Sequence, residues 1–374
     1  MKIVADKDIP FLQGILEPFA EVVYLPGKDI SRSHLSDADA LLTRTRTICD
    51  EKLLDGTPVK FIGTATIGHD HIDTVYCESK GITWKNAPGC NASSVNQYVA
   101  SALAALSLRH GFSLTERSLG VVGVGNVGSR VVRTAELLGM HVYLCDPPRV
   151  EKEGACGFIS LDGIVRECDI ITFHVPLAST GKYPTFHMIN DYLLEKLKPG
   201  TIIINTSRGQ VADNESLKRY SVKKFIFVLD VWENEPFIDR ELLSMTDIAT
   251  SHIAGYSADG KANATSMIVN ELSRYFDLVL SDWKADGIPE PAVKEIFIDC
   301  SALSKEEIID KSILGTYNVL IDDEALRRSP LNFEKLRSDY PLRREFEAYT
   351  LILKGADTET ERLCRKIGFK VKKS

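Results

Sequence analysis

The chain has 374 residues, 44% hydrophobic and 26% charged, with a formal net charge of −7; it is too long for one ordinary core, so two or three domains are expected. The composition is that of a globular protein, and the acidic balance excludes a nucleic-acid surface or a basic membrane anchor. No apolar run approaches the ~18 residues of a membrane span, the start MKIVADKD is charged, and the eight cysteines include no C-x-x-C pair, so a cytoplasmic protein with reduced thiols packed as small hydrophobes is expected.

Along the first 90 residues the apolar runs KIVAD, EVVYL, ADALLTRT, VKFIGTA and GITWKNA recur, separated by stretches with helical spacing such as residues 10–19. Strands alternating with helices predict a parallel sheet. Polar residues follow these strands: Arg44, Thr45 and Arg46, then Thr64 and Thr66, then Asn86. Ligands of open α/β sheets bind at the carboxyl ends of strands, which makes these candidate substrate contacts. Arginines at 44 and 46 suit a carboxylate or a phosphate. His69 and His71 form an H-x-H without a third ligand at useful spacing, so no metal is expected.

Residues 91–109 read as one helix with Asn91 or Ser93 as cap and a long Ala/Leu face, able to cross between domains. Directly after it, SLGVVGVGNVGSRVVRTAELLGMHVYLCD (118–146) reads as strand, glycine turn, helix, strand and acidic residue. Gly123, Gly125 and Gly128 form G-x-G-x-x-G in the context that gives the motif meaning. The first glycine permits the tight turn, the second lets backbone approach a pyrophosphate, and the third lets helix and strand pack closely. Asp146 stands where a ribose diol would lie, and a carboxylate there favours NAD over NADP.

Four further runs, 168–176, 200–209, 224–232 and 246–255, are nearly continuous and apolar, as parallel strands covered on both faces should be. They end in His174, in Thr206, Ser207 and Arg208, in Asp230, and in His252. Parallel strands share a direction, so these side chains should converge on the edge that holds the glycine turn. A helix at about 258–280 can return to the first domain and make it discontinuous. The remaining segment carries strand-like IFIDC, NVLID and YTLIL and helical stretches around Glu306 and Arg362. Its Arg343, Arg344 and tail lysines read as a solvated face, and an interaction role is expected of it.

A dinucleotide site implies hydride transfer. Oxidising an alcohol needs a base, a cation for an anionic substrate and a group that orients the base. His252, Arg208 and Glu235 offer those roles: an imidazole, a guanidinium fork and a carboxylate that can fix the imidazole ring.

GVGNVGSRV, INTSRGQVADNESL, LDVWENEP and SHIAGYS resemble the D-2-hydroxyacid dehydrogenase family. GTATIGHDHID, APGCNASSVNQYV, LCDPPR and FEKLRSDYPLRREFE are similar to one subgroup of it with an additional C-terminal region. The resemblance implies an α/β protein: two Rossmann-like or flavodoxin-like parallel-sheet domains plus a C-terminal α+β dimerisation domain. The substrate-binding domain would comprise 1–90 and 258–284, the NAD-binding domain 91–257, and the dimerisation domain 285–374. It implies NAD as cofactor, a phosphorylated 2-hydroxy acid as substrate, and a homodimer. Arg208, Glu235 and His252 would be catalytic. Gly123, Gly125, Asn126, Val127, Gly128, Asp146, Val175, Thr206, Ser207, Arg208, Asp230 and Gly255 would hold NAD, and Thr45, Thr66 and Tyr256 the substrate.

Three positions depart from the family pattern. Val175 replaces a usual threonine, so a cofactor contact there must use backbone; Thr45 replaces a common serine and keeps the hydroxyl; His69 replaces a small polar residue. Two other readings compete: a dehydrogenase of the same family acting on another 2-hydroxy acid, of phosphoglycerate or hydroxypyruvate type, and an NAD-sensing, corepressor-like binding protein.

Overall fold

The computed structural model describes residues 1–373 apart from 224 and 281. Lys224, which opens the expected 224–232 run, Ser281 in the expected 258–284 segment and the terminal Ser374 lie outside the described residues. Two compact units form: Met1–Asn91 with Ser257–Pro289, and Ala92–Tyr256 with Glu290–Ser374.

The first unit is built on β1 (Lys2–Asp6), β2 (Glu21–Leu25), β3 (Ala40–Thr43), β4 (Phe61–Thr64) and β5 (Thr83–Lys85). All pair in parallel, in the order β2-β1-β3-β4-β5. β3 and β4 are buried at every position, which accounts for their unbroken apolar reading. The helix Ala258–Phe276 covers one face through Ala264, Ile268, Val269 and Leu272. Gly63 in β4 allows that approach, because a Cβ there would meet Ile268 Cγ2 at 2.5 Å. Residues 10–19 are not a helix. The chain passes through consecutive turns, with Phe11 and Gly14 at φ +62° and +88° leaving the helical path, while Leu12 and Leu16 still reach the core.

The second unit carries a six-stranded parallel sheet in the order β11-β10-β9-β8-β6-β7. Its strands are β6 (Ser118–Val122), β7 (His141–Cys145), β8 (Ile170–Phe173), β9 (Ile202–Asn205), β10 (Ile226–Leu229) and β11 (Ile248–Ala249). The order reverses between the two neighbours of β6, the switch point at which such sheets open a crevice for ligands. The helix Ala92–His110 lies against the helix Asn126–Leu137 and buries fifteen of its own residues, among them Tyr98, Leu103 and Leu106.

The C-terminal segment adds a three-stranded parallel sheet, β12-β13-β14, from β12 (Glu295–Asp299), β13 (Thr350–Lys354) and β14 (Lys370–Lys373). It shares one continuous core with the nucleotide-type sheet: Ile309, Ile313, Tyr317 and Leu351 pack in the same cluster as Tyr98, Leu103 and Val131. The run NVLID is a helix rather than a strand. Asn318 caps Val319–Arg328 by accepting from Leu320 N at 3.1 Å, and Val319, Asp323 and Leu326 bury one face at helical spacing. Arg343 is likewise not on a solvated face; it is 5% exposed. Seven of the eight cysteines are buried, Cys156 being the exposed one, and no helix among the described residues is long and apolar enough to cross a membrane.

Candidate active site

β6 runs directly into the glycine turn and the helix Asn126–Leu137. Gly123 has φ +87°, and a Cβ on it would lie 2.6 Å from the carbonyl oxygen of His174 and 2.9 Å from Val175 Cγ1. At Gly128 a Cβ would sit 2.0 Å from the Gly123 oxygen, so the helix can start this close to the strand only with glycine there. Gly125 differs: nothing lies within 4 Å of its would-be Cβ, and as N-cap it makes no side-chain cap hydrogen bond. Gly125 and Asn126 are exposed, and the first-turn N–H groups of a helix have no intrahelical partner, which is the arrangement that receives a phosphate.

Asp146 follows β7. Its Oδ2 accepts from Val124 N at 2.8 Å and its Oδ1 from Arg149 N at 3.0 Å. The carboxylate therefore ties the glycine turn to the helix Pro147–Glu153 that it caps. Each oxygen keeps a further lone pair for a ribose hydroxyl.

The ends of β8 and β9 are laced together. Burial pushes the His174 ring down to about 3, and the neutral ring bridges the hydroxyls of Thr172 at 3.0 Å and Thr206 at 3.2 Å. Asn205 Oδ1 accepts from both Ser207 N and Ser207 Oγ, and Asn205 Nδ2 donates to the Arg208 carbonyl. Arg208 is thereby presented on a backbone fixed from behind. Gly209 lets that segment press on the next strand end, since a Cβ there would fall 2.0 Å from Trp232 O.

Beyond β10, Glu235 turns back on itself. Its Oε1 accepts from Trp232 N at 2.8 Å, and its Oε2 lies 2.8 Å from Nδ1 of His252. Burial pushes the Glu235 carboxyl up, but the hydrogen bond and charge of His252, the Trp232 N–H and the charge of Arg337 outweigh it and hold the group below the usual range. The carboxylate fixes the ring through Nδ1 and leaves Nε2 to chemistry.

His252 itself sits at φ +56°, a conformation that persists only where its surroundings over-determine it. Two clamps do so. Asp230, 1% exposed, accepts from Ile253 N at 2.8 Å, Ala254 N at 3.0 Å and Thr250 Oγ1 at 2.7 Å, while its carbonyl accepts from His252 N at 2.7 Å. From the other side Arg343 donates to the carbonyls of Ile253, Ala254 and Ser94 at 3.3, 2.5 and 3.0 Å. The guanidinium also lies 4.4 Å over the Tyr317 ring. Asp230, expected among the cofactor contacts, thus has its side chain turned into the loop that carries His252, Gly255 and Tyr256. Arg343 escaped the sequence reading because a basic pair looks the same in solvent and in a core; its one local hint was the PLRR run.

In the first unit, Thr45 is exposed just after β3, and Arg44 donates to the Asp8 carbonyl at 3.0 Å. Thr66 shares a 2.8 Å hydrogen bond with Thr64 and donates to Gly68 O at 2.8 Å. His71 takes up Thr64 Oγ1 at 3.1 Å, and burial pushes its ring down to about 4; His69 stacks on Trp84. Among the described residues of the second unit, the ligand atoms of His187, Asp213 and Glu233 lie within 4.8 Å of one another. These groups already satisfy one another and the backbone: His187 Nε2 meets Glu233 Oε1 at 2.6 Å, Glu233 Oε2 accepts from Asn214 N at 3.1 Å, and Asp213 caps the helix Asn214–Tyr220.

Residues 92–254 match the family described as D-isomer specific 2-hydroxyacid dehydrogenase, NAD binding domain, and 288–368 match a domain of unknown function. D-lactate dehydrogenase from Aquifex aeolicus, solved with NAD and lactic acid, superposes with a TM-score of 0.59 at 27% identity, over 74% of this chain and 96% of that one. For the NAD+-bound 3-phosphoglycerate dehydrogenase of Entamoeba histolytica the values are 0.63 and 26%, over 77% and 99%. The chain belongs to the D-isomer specific 2-hydroxyacid dehydrogenase family.

Relatives similar over nearly the whole length, C-terminal segment included, are narrower in name. A Bacteroides fragilis protein 49% identical over 94% of this chain and 99% of its own is an erythronate-4-phosphate dehydrogenase. So is one from Porphyromonas gingivalis, 44% identical over 99% and 100%, and one from Hahella chejuensis, 41% identical over 99% of both.

Proposed function

We propose that this protein oxidises 4-phospho-D-erythronate at C2 with NAD, giving (R)-3-hydroxy-2-oxo-4-phosphobutanoate on the way to pyridoxal 5′-phosphate. The observation that carries the reading is the Glu235–His252 pair at 2.8 Å, in a chain whose full-length relatives bear that enzyme's name. The glycine turn fits the cofactor: open space at Gly125 and an uncapped helix start suit a pyrophosphate, and Asp146 suits the ribose.

When bound, NAD supplies the acceptor for the hydride leaving C2. Arg208 holds the C1 carboxylate in its fork, which orients C2. His252 Nε2 takes the C2 hydroxyl proton, and Glu235, hydrogen-bonded at Nδ1, fixes the ring and balances the imidazolium that forms. Thr45, Thr66 and Tyr256 are the remaining substrate contacts in this reading. Asp230 and Arg343 keep the His252 loop in place, so little reorganisation accompanies proton transfer.

We further propose a homodimer formed through the C-terminal segment. β12 is an edge strand, and Val293 and Phe297 on and beside it are 63% and 61% exposed, apolar surface that a second copy would cover. Seven of the eight cysteines are buried, as thiols packed as small hydrophobes are, which supports a reducing, cytoplasmic setting.

NADH formation read at 340 nm tests the activity. 4-Phospho-D-erythronate is expected to give the highest kcat/KM. A higher value with glycerate 3-phosphate or glycerate would leave the family and remove the substrate. NAD binding without turnover of any 2-hydroxy acid would revive a sensing role.

A further inference from the structure

The second unit offers a cation beside the catalytic pair that the reaction described so far does not use. The short helix Phe333–Ser338 is anchored by Phe333, 1% exposed, and by Leu336, both in the core cluster that holds Trp232 and Leu229. That anchorage places Arg337 with its guanidinium 5.8 Å from the centre of the Tyr256 ring. Tyr256 is backed in turn by the edge of Tyr340 at 5.9 Å. Arg337 is only 22% exposed, and its Nε has neither solvent access nor a hydrogen-bond partner. Its ion-pair partner is Glu334 at 3.1 Å, one turn back on the same helix and 55% exposed.

The charge of Arg337 reaches Glu235, and that of Glu235 reaches Arg337. Glu235 already takes one contact at each carboxylate oxygen, from Trp232 N and from His252 Nδ1, so its charge is shared between Arg337 and His252. An exposed carboxylate on a neighbouring turn is a weak partner. The Tyr256 side chain also interacts with the guanidinium; a neutral phenol and an exposed carboxylate leave this largely buried cation, in a chain of net charge −7, able to exchange Glu334 for a stronger anion beside Tyr256.

Given the functional reading above, on which this step rests, the substrate has two anionic ends. A carboxylate at one end is met by Arg208; a phosphate monoester, with three oxygens and a charge near −2, needs a second fork. We propose that Arg337 binds the substrate's phosphate, giving up Glu334 and packing the phosphate end against Tyr256, and so selects phosphorylated over plain 2-hydroxy acids. The C-terminal segment then supplies a specificity residue to the active site.

The test compares 4-phospho-D-erythronate with D-erythronate in the wild type, Arg337→Gln and Arg337→Lys, with the thermal midpoint and NAD affinity of each variant measured alongside. The phosphorylated substrate should lose about 100-fold in kcat/KM in Arg337→Gln, mostly through KM, the scale of a lost charged contact of 2–3 kcal/mol. Turnover of D-erythronate should stay within threefold. Arg337→Lys should recover only part of the loss, since an ammonium cannot bind two oxygens as a fork. Glu334→Gln should lower KM for the phosphorylated acid by removing the competitor, and inorganic phosphate should inhibit the wild type competitively but not Arg337→Gln.

Equal losses on both substrates would make Arg337 a support for Glu235 and overturn the proposal. A wild-type preference for the phosphorylated acid that survives intact in Arg337→Gln would overturn it as well, with the functional reading left standing. A wild type indifferent to the phosphate would bring down the functional reading itself.

Discussion

Replacing Arg343 by methionine removes the prop behind the His252 loop while keeping side-chain length. Three hydrogen bonds to the carbonyls of Ser94, Ile253 and Ala254 are lost, along with the cation over Tyr317. Bonds with one charged partner contribute about 1.5–3 kcal/mol each, but the carbonyls would recover part of that from water and relaxation. Asp322 would lose its compensating charge as well. It accepts from Tyr317 and Tyr340 at 2.7 and 2.8 Å, and burial already pushes its carboxyl up against the lowering effect of those hydroxyls and of Arg343. Breaking one side of such a set costs about 3–5 kcal/mol, equivalent to a fall of ~6–20 °C in the thermal midpoint at 2–4 °C per kcal/mol. The loop would also lose its fixed geometry, for which a 10- to 100-fold fall in kcat is the expected order. Differential scanning calorimetry and NADH formation on the full chain measure both. Adding Asp322→Asn to Arg343→Met should return ~1–2 kcal/mol, because a neutral amide no longer needs the cation. A midpoint within 1 °C of wild type together with kcat within twofold would refute the account of Arg343 as the outer clamp.

His252→Ala should abolish hydride transfer while NAD still binds, which fluorescence titration and turnover separate; full turnover would remove His252 from the mechanism. Arg208→Lys should lower kcat/KM by about 100-fold through loss of the fork, measured by the same assay. Two glycine variants should diverge: Gly125→Ala enters open space and should melt within ~1 kcal/mol of wild type yet bind NAD weakly, whereas Gly128→Ala meets the Gly123 carbonyl at 2.0 Å and should lose several kcal/mol of stability. Asp310, 5% exposed, is pushed up to about 7 by burial and by the charges of Glu306 and Glu307. The folded protein thus holds its proton more tightly than the unfolded chain, so Asp310 favours the fold fully at low pH and loses that advantage as pH rises from about 4 to about 7. The loss is at most ~4 kcal/mol, and ~2 after solvent screening. Asp310→Asn should therefore melt like wild type at pH 4 and higher than wild type at pH 8.

What the sequence carried was what neighbours along the chain determine. Continuous apolar runs such as IIIN (202–205) and FIGT (61–64) are buried at every position, as strands between two covered faces should be. The glycine spacing was legible because Gly123 and Gly128 answer to backbone a few residues away or to the adjoining strand, while Gly125 between them faces open space. NVLID is a helix that reads as a strand because five apolar and polar residues without a full period fit either, and the deciding information lies in the Asn318 cap and in Leu326 beyond the run. Residues 10–19 kept helical spacing while Phe11 and Gly14 took positive φ; spacing records which side chains are apolar, not the path that buries them.

The C-terminal segment shows the same division more sharply. No pattern in it announces chemistry, because its polar residues act through partners distant in sequence. Arg343 reaches Ile253 across 90 positions. Asp323 continues the edge of β11 by accepting from Ala249 N at 2.7 Å, and Arg327 caps the carbonyls of Leu243 and Thr246. Together with Tyr317 and Leu351 in the shared core, these contacts make the segment a wall of the nucleotide-type unit rather than an appendage. The carbonyls and N–H groups on either side of a strained His252 then answer to two different parts of the chain, Arg343 and Asp230. A change at either clamp reaches the His252 imidazole through one backbone turn, so stability of the C-terminal segment and turnover should vary together across variants of this wall.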